Sequence, residues 1–211
     1  MALFITFEGG EGSGKSTQSI VLFEHLNADG KEAVLTHEPG GTGIGEKITH
    51  LLKWSEDGRI SPLAEVLLFN ASRTELVSRV IKPALVGGKI VVCDRYVDST
   101  LVYQGYGRGL TASTVKAVNA IAIQGLMPDL TFLLDLPVDD GMWRKRGTKA
   151  DRFEKESLDF HRRVRDGYLT LAATEPNRWV VLNASLSKDV IADIIWNKTL
   201  AALERHTSTT P

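Results

Sequence analysis

The sequence predicts an α/β protein of three layers, with helices over both faces of a five-stranded parallel sheet and a lid segment at one sheet edge. Three observations carry that expectation. Five short strand-like runs alternate with stretches of helical apolar period, the pattern of a parallel sheet built from crossover units. One run, Lys89-Ile90-Val91-Val92-Cys93, is continuously apolar, as strands buried on both faces are. The first run passes directly into a glycine loop and a helix. At 211 residues and 43% hydrophobic content the chain suffices for one well-cored domain over 1–211, and no repeat or linker divides it.

The first strand is Leu3-Phe4-Ile5-Thr6-Phe7. After it, Gly9-Gly10-Glu11-Gly12-Ser13-Gly14-Lys15-Ser16-Thr17 matches G-x-x-x-x-G-K-S/T, which makes the expected architecture a P-loop NTPase fold. Glycines let successive N–H groups converge on one point, and the helix opening near Ser16 adds its positive end, so the segment is a nest for phosphate. Lys15 would reach the β- and γ-phosphates of a nucleoside triphosphate, and the Ser16 hydroxyl would sit on a Mg²⁺ ion bridging them.

The helix from Ser16 to Ala28 places Leu22, Phe23 and Leu26 on one face and ends before Gly30. Ala33 to Thr36 is a short strand, Glu38-Pro39-Gly40-Gly41-Thr42-Gly43 a loop, and Ile44, Ile48, Leu51 and Leu52 mark a short helix. Ser61-Pro62 reads as a cap and first helical position, opening a long helix to about Val80 that Pro83 kinks or ends. The apolar strand at 89–93 runs into Asp94-Arg95-Tyr96, and Ser99 to Gly109 reads as a polar, glycine-rich connection. Val115, Val118 and Ala122 mark a helix before Pro128; Leu130 to Leu136 is the fourth strand, Val138 to about Arg146 is helical, and Gly147 to Ala150 is loose. Leu158, His161, Val164, Tyr168 and Leu171 keep a helical period, Trp179 to Leu182 is the fifth strand, and Ser187 caps a last helix with a frayed tail over about 206–211.

Composition narrows the function classes. A formal charge of -1 gives no overall basic field for nucleic acid. The lone Cys93 suits a reducing compartment, and neither a signal-peptide pattern nor a spanning run stands at the amino end, so a soluble, cytoplasmic protein without membrane partner is expected. The five histidines show no metal-ligand spacing.

Ligands of open parallel sheets bind beyond the carboxyl ends of the strands, where the polar segments 9–16, 38–42, 94–96 and 135 onward should all meet. Phe69 and Arg73, four apart on one helix, offer an aromatic plate and a guanidinium fork to one ligand; spacing also fits a core Phe69 with a solvated Arg73. Arg95 at a strand end could grip a phosphate or form a structural ion pair. Arg144, Lys145, Arg146, Lys149 and Arg152 surround a glycine-containing loop at about 142–154, which fits a lid closing over transferring phosphate and also a solvated helix end.

The chain resembles the thymidylate kinases, which convert dTMP to dTDP. The resemblance spans nearly the whole length and rests on Phe7-Glu8-Gly9, the P-loop, Glu38-Pro39-Gly40-Gly41-Thr42, Phe69-x-x-x-Arg73, Asp94-Arg95-Tyr96, Ser99-Thr100-x-x-Tyr103-Gln104-Gly105, Pro128-Asp129-Leu130 through Leu134-Asp135, and Asp151-Arg152-Phe153-Glu154. It implies that Phe69 stacks on thymine, Arg73 reaches base or phosphate, Thr100 and Gln104 read the pyrimidine edge, Tyr103 crowds the sugar 2′ position and Arg95 holds the acceptor phosphate. Glu11 would lie near the sugar 3′-hydroxyl, Pro39, Ser99 and Tyr168 would line the dTMP site, and Asp94 would join Ser16 near Mg²⁺. Gly12-Ser13 with a basic lid resembles the bacterial-type group, in which catalytic arginines come from the lid; Arg144, Arg146 and Arg152 are the candidates. The family also implies a homodimer. Another nucleoside-monophosphate or deoxynucleoside kinase is the nearest alternative; a GTPase switch is disfavoured because Asn197-Lys198-Thr199-Leu200 lacks the guanine-reading Asp.

Overall fold

The computed structural model describes residues 2–54, 60–147 and 149–208, the side chains of 206–208 apart. Five strands, β1 (Leu3–Glu8), β2 (Ala33–His37), β3 (Ile90–Asp94), β4 (Leu130–Asp135) and β5 (Trp179–Asn183), form one sheet in the order β2-β3-β1-β4-β5. Every pairing is parallel, with Phe7 beside Asp94 and Phe132, and Asp135 beside Asn183. The central β1 is buried along all six residues, which is why its run is apolar throughout rather than alternating.

Side chains of β1 go to alternate faces, as strand geometry requires. Leu3, Ile5 and Phe7 meet Leu22 and Leu26 of α1 (Lys15–Ala28) and Ile191 and Ile195 of α9 (Lys188–Ser208). Phe4 joins Leu76, Val77, Val91 and Cys93 on the opposite face, where α3 (Pro62–Leu76) packs. Each fully buried side chain of this size contributes about 2 kcal/mol, so the two clusters hold the helical layers to the sheet. The remaining helices are α2 (Gly43–Trp54), α4 (Lys82–Val86), α5 (Val97–Thr100), α6 (Ala112–Ile123), α7 (Val138–Arg144) and α8 (Leu158–Thr174).

Three expectations differ from the structure. Pro83 does not end the third helix: the backbone widens through a π-helical turn at Val77–Ile81, where Lys82 N–H reaches Val77 O, and Pro83 falls in the first turn of α4, where no N–H is needed. Residues 99–109 are not a polar connection, for α5 continues into a π-helical segment, Leu101–Gly107, whose Leu101, Val102 and Tyr103 are buried. Packing against α3 and α8 overrides the weak helix propensity of its glycines. The helix α9 continues to Ser208, through the first three residues of the tail expected to fray; 209–211, and Thr148 of the loose 147–150 stretch, lie outside the described residues.

Candidate active site

The carboxyl ends of β1, β3 and β4 open into one cavity of about 1000 Å³, lined by the P-loop at one end and by Phe69, Arg73, Thr100, Tyr103 and Gln104 at the other. The ends of β1 and β3 thus bring the motifs separated in sequence to one place. Helix α1 starts at Lys15 with no side chain capping its first turn and no acid there, leaving its positive end available to an anion. Gly12 has φ 69°, and a Cβ there would run into the Gly141 carbonyl oxygen; a Cβ on Gly141 would meet Glu11 O. The P-loop and α7 therefore touch backbone to backbone.

Lys15 folds back on the loop, donating from Nζ to Gly10 O (2.6 Å) and Ser13 Oγ (3.3 Å). Burial, with Arg95 nearby, lowers its pKa to about 8. Ser16 Oγ donates to Asp94 Oδ2, while Asp94 Oδ1 is buried without a hydrogen-bond partner. A hydroxyl beside a carboxylate with an unused oxygen is a donor set that suits a hard divalent cation. Among the described residues no group of three acidic, His or Cys side chains forms a complete metal cage.

Arg95 occupies the left-handed region (φ 67°), its N–H bonded to Phe7 O at 2.9 Å. That unusual backbone turns its guanidinium into the junction of the two ends of the cavity. Nη1 donates to Gly9 O (3.1 Å), Ser99 Oγ (3.2 Å) and Tyr168 OH (3.2 Å), and Nη2 to Glu11 Oε1 (2.9 Å) and Tyr103 OH (3.1 Å). Glu11 also accepts from Tyr103 OH at 2.7 Å. Burial alone would raise the Glu11 pKa, but Arg95, Lys15 and the Tyr103 hydroxyl outweigh it and hold it at about 2.

Behind Arg95 lies Glu8, which the sequence reading assigned no role. It accepts from Tyr96 N–H (2.8 Å), Ser99 Oγ (2.6 Å) and Tyr168 OH (2.9 Å), tying β1, α5 and α8 together beneath the arginine. Burial, then the Asp98 carboxylate, pushes its pKa up to about 7. Tyr168 is buried, and its hydroxyl meets both Ser99 Oγ (2.8 Å) and Arg95.

On the far wall Phe69 faces Phe153, ring centroids 5.7 Å apart. Arg73 is 1% exposed, and each of its five N–H groups is engaged. Nε bonds Glu38 Oε2 (2.8 Å), Nη1 bonds Asn70 Oδ1 (3.1 Å) and Asn119 Oδ1 (3.0 Å), and Nη2 bonds Tyr96 O (3.2 Å) and Thr100 Oγ1 (2.7 Å). The expected solvated alternative for Arg73 is thus excluded. Glu38 remains raised in pKa because burial outweighs Arg73. Pro39 and Ser99 line the same cavity.

Of the lid arginines, Arg144 alone adjoins the P-loop, donating to Gly12 O (3.4 Å) and Ala184 O (3.1 Å). Arg146 is exposed and outside the cavity lining. Arg152 is turned away, bonding Leu52 O (2.8 Å), with Nη2 at 2.7 Å from Glu65 Oε2 but off the hydrogen-bond axis. Gly9 and Gly10 contribute carbonyls to Arg95 and Lys15 rather than cavity surface. Glu8, Glu65 and Gly141 are the residues that sequence reasoning missed. Gly141 had a signal, since a glycine inside a helix costs about 1 kcal/mol against alanine and points to a close approach.

A family model described as thymidylate kinase matches residues 7–195. A thymidylate kinase from Dehalococcoides mccartyi (strain ATCC BAA-2266 / KCTC 15142 / 195) is 58% identical over 204 residues, 97% of this chain and 99% of its own. One from Synechococcus sp. (strain JA-2-3B'a(2-13)) is 49% identical, covering 92% of this chain and 93% of its own. The crystal structure of thymidylate kinase from Ehrlichia chaffeensis superimposes with a TM-score of 0.76 at 36% identity, over 94% of this chain and 98% of that one.

Proposed function

The chain belongs to the thymidylate kinase family, and from that premise we propose how this cleft carries out the reaction. The protein is a phosphotransferase that converts dTMP to dTDP, with ATP as the donor its family uses. In our reading ATP takes the P-loop from Gly9 to Thr17, and dTMP takes the wall of Phe69, Arg73, Thr100, Tyr103 and Gln104. Glu11, Pro39, Ser99 and Tyr168 complete the acceptor site. The observation that carries this is the continuity of one cavity from Lys15 and Ser16 past Arg95 to Phe69.

The acceptor is a phosphate oxygen whose second pKa near ~6 leaves it dianionic at neutral pH, so no general base is required. What remains is to bring two polyanions together in line and away from water. Arg95 stands between the two ends and exchanges its ties to Glu11 and Tyr103 for the acceptor phosphate. Lys15 leaves Gly10 O for the donor phosphates, whose negative charge favours its protonated form. Arg144 adds positive charge from the lid at 142–154, with Arg146 and Arg152 reaching the phosphates only if the lid moves. Ser16 and Asp94 would hold Mg²⁺, which neutralises donor charge and shields the phosphoryl group from repulsion. Closure over the cleft keeps the phosphoryl group from water.

The reading extends to a cytoplasmic homodimer of one-domain subunits. No described helix is long and apolar enough to cross a membrane. Leu63 and Leu67 on α3 and Ile44 and Leu51 on α2 leave apolar surface exposed at i, i+4 and i, i+7, so each pair shares a helix face suited to a second copy. Sedimentation of the protein tests the dimer. The function is tested by offering labelled ATP and Mg²⁺ with dTMP, dCMP, dGMP, dAMP and thymidine. Label should pass to dTMP, and transfer chiefly to any other acceptor would reject the reading.

A further inference from the structure

Two buried charges stand directly behind the wall on which, in the reading above, the acceptor base rests. Gln104 is 1% exposed and donates from Nε2 to Glu65 Oε1 at 2.7 Å. Glu65 is 0% exposed and faces Arg108 at 3.3 Å and Arg152 at 2.7 Å, both pure donors. A carboxylate held between guanidiniums accepts and does not donate, so the amide of Gln104 can face it only with its NH₂. Its carbonyl is thereby committed to the other end, and Gln104 lines the cavity.

Thr100, four residues earlier, is set the opposite way. Its Oγ1 accepts from Arg73 Nη2 at 2.7 Å, and a guanidinium has no lone pair to take the hydroxyl proton. The carbonyl of Tyr96, the usual i−4 acceptor for a helical threonine, already accepts from Arg73 at 3.2 Å and from the Ser99 N–H at 3.2 Å, which takes up both its lone pairs. The Thr100 proton is therefore free to point at a ligand in the cavity it lines.

We propose that Glu65 and Arg73 are positioning residues that fix the polarity of the base-reading wall, so that Thr100 presents a donor and Gln104 an acceptor to a 4-keto pyrimidine with a protonated N3. Thymine and uracil offer that edge, a carbonyl beside an N–H. Cytosine offers the reverse, an amino group beside a bare nitrogen, and that nitrogen would face the Gln104 carbonyl acceptor against acceptor. The inference rests on dTMP occupying this wall. It ranks acceptors: dUMP, differing by one methyl group, should lose only about 10- to 200-fold in kcat/KM, whereas dCMP should lose ~10⁴-fold.

The test is kcat/KM for dTMP, dUMP, dCMP and N3-methyl-dTMP with the wild-type protein and Glu65→Gln. The substituted side chain can itself donate, which frees the Gln104 amide to turn over. The dTMP-to-dCMP ratio should then fall at least about tenfold, through the acceptor KM, while the KM for ATP stays fixed. Loss of dTMP and dCMP activity by a common factor would mean that Glu65 serves only the fold, and would overturn the proposal. Should Glu65→Gln not fold, Thr100→Val and the wild-type comparison of dTMP with N3-methyl-dTMP decide the matter: Thr100→Val should depress dTMP and leave dCMP nearly unchanged, and equal use of the methylated acceptor overturns the inference. Wild-type protein inactive on dTMP overturns the functional reading and this inference together; activity on dTMP without the predicted ranking overturns this inference alone.

Discussion

Replacing Arg73 with alanine should cost more in stability than in any single contact with substrate. The guanidinium is buried against Glu38, with Nη2 also 2.7 Å from Glu38 Oε2, and its removal leaves a buried carboxylate without a counter-charge. Breaking a buried pair in this way costs about 3–5 kcal/mol, a large share of the roughly 5–15 kcal/mol by which a domain is stable. At about 2–4 °C per kcal/mol for a chain of this size, Tm should fall by roughly 6–20 °C. The loss should depend on pH. Burial already raises the Glu38 pKa, and without Arg73 it rises further, so stability is present below the ordinary carboxylate range and lost as pH rises through the folded value. Urea denaturation followed by circular dichroism at pH 5 and pH 8 should therefore show a smaller deficit at pH 5. In a cycle with Glu38→Gln, the double variant should be no worse than the poorer single variant. A cost below about 1 kcal/mol, a pH-independent deficit or simple additivity would refute the charge-pair account.

Three further outcomes follow from the site. Glu8, held at about 7 against an ordinary 4.5, binds a proton in the fold that the unfolded chain has released between those values, so stability should decline by about 3 kcal/mol as pH rises from 4.5 through 7. Glu8→Gln should flatten that slope in the same denaturation experiment, and an unchanged slope would place the titration elsewhere. Lys15, lowered to about 8, must be protonated to hold ATP, so ATP affinity measured by titration should weaken about fivefold between pH 8 and pH 9, and Lys15→Ala should remove the trend along with most turnover; the same trend in that variant would assign it to another group. Gly141→Ala should push the P-loop off α7 and cut turnover by about 10²-fold or more while far-UV dichroism stays normal; near-normal turnover would show that the loop accommodates the methyl group.

The legible parts of the sequence were those where physics forces a local pattern. A phosphate nest needs glycines at fixed offsets before a helix, so Gly9 to Thr17 announced itself, and apolar runs such as Leu3 to Phe7 marked the parallel strands. Residues 101–107 were misread because Tyr103, Gln104 and the glycines resemble a turn, whereas contacts made far away in sequence hold them helical. Buried acids were invisible for a different reason. Glu65 sits in the first turn of α3, where an acid is ordinarily a solvated complement to the helix dipole, and nothing local marks it as 0% exposed. Lid arginines eight residues apart differ in partner only through the path of the chain, which places Arg144 on Gly12 and Arg152 on Leu52.

The central claim is that donor and acceptor lie in one cleft with Arg95 between them. Its most direct measurement is the binding of a dinucleotide in which adenosine and thymidine are joined by five phosphates. It should compete with both ATP and dTMP, bind more tightly than either alone, and lose that advantage in Arg95→Ala. Competition with only one of the two nucleotides would contradict the account.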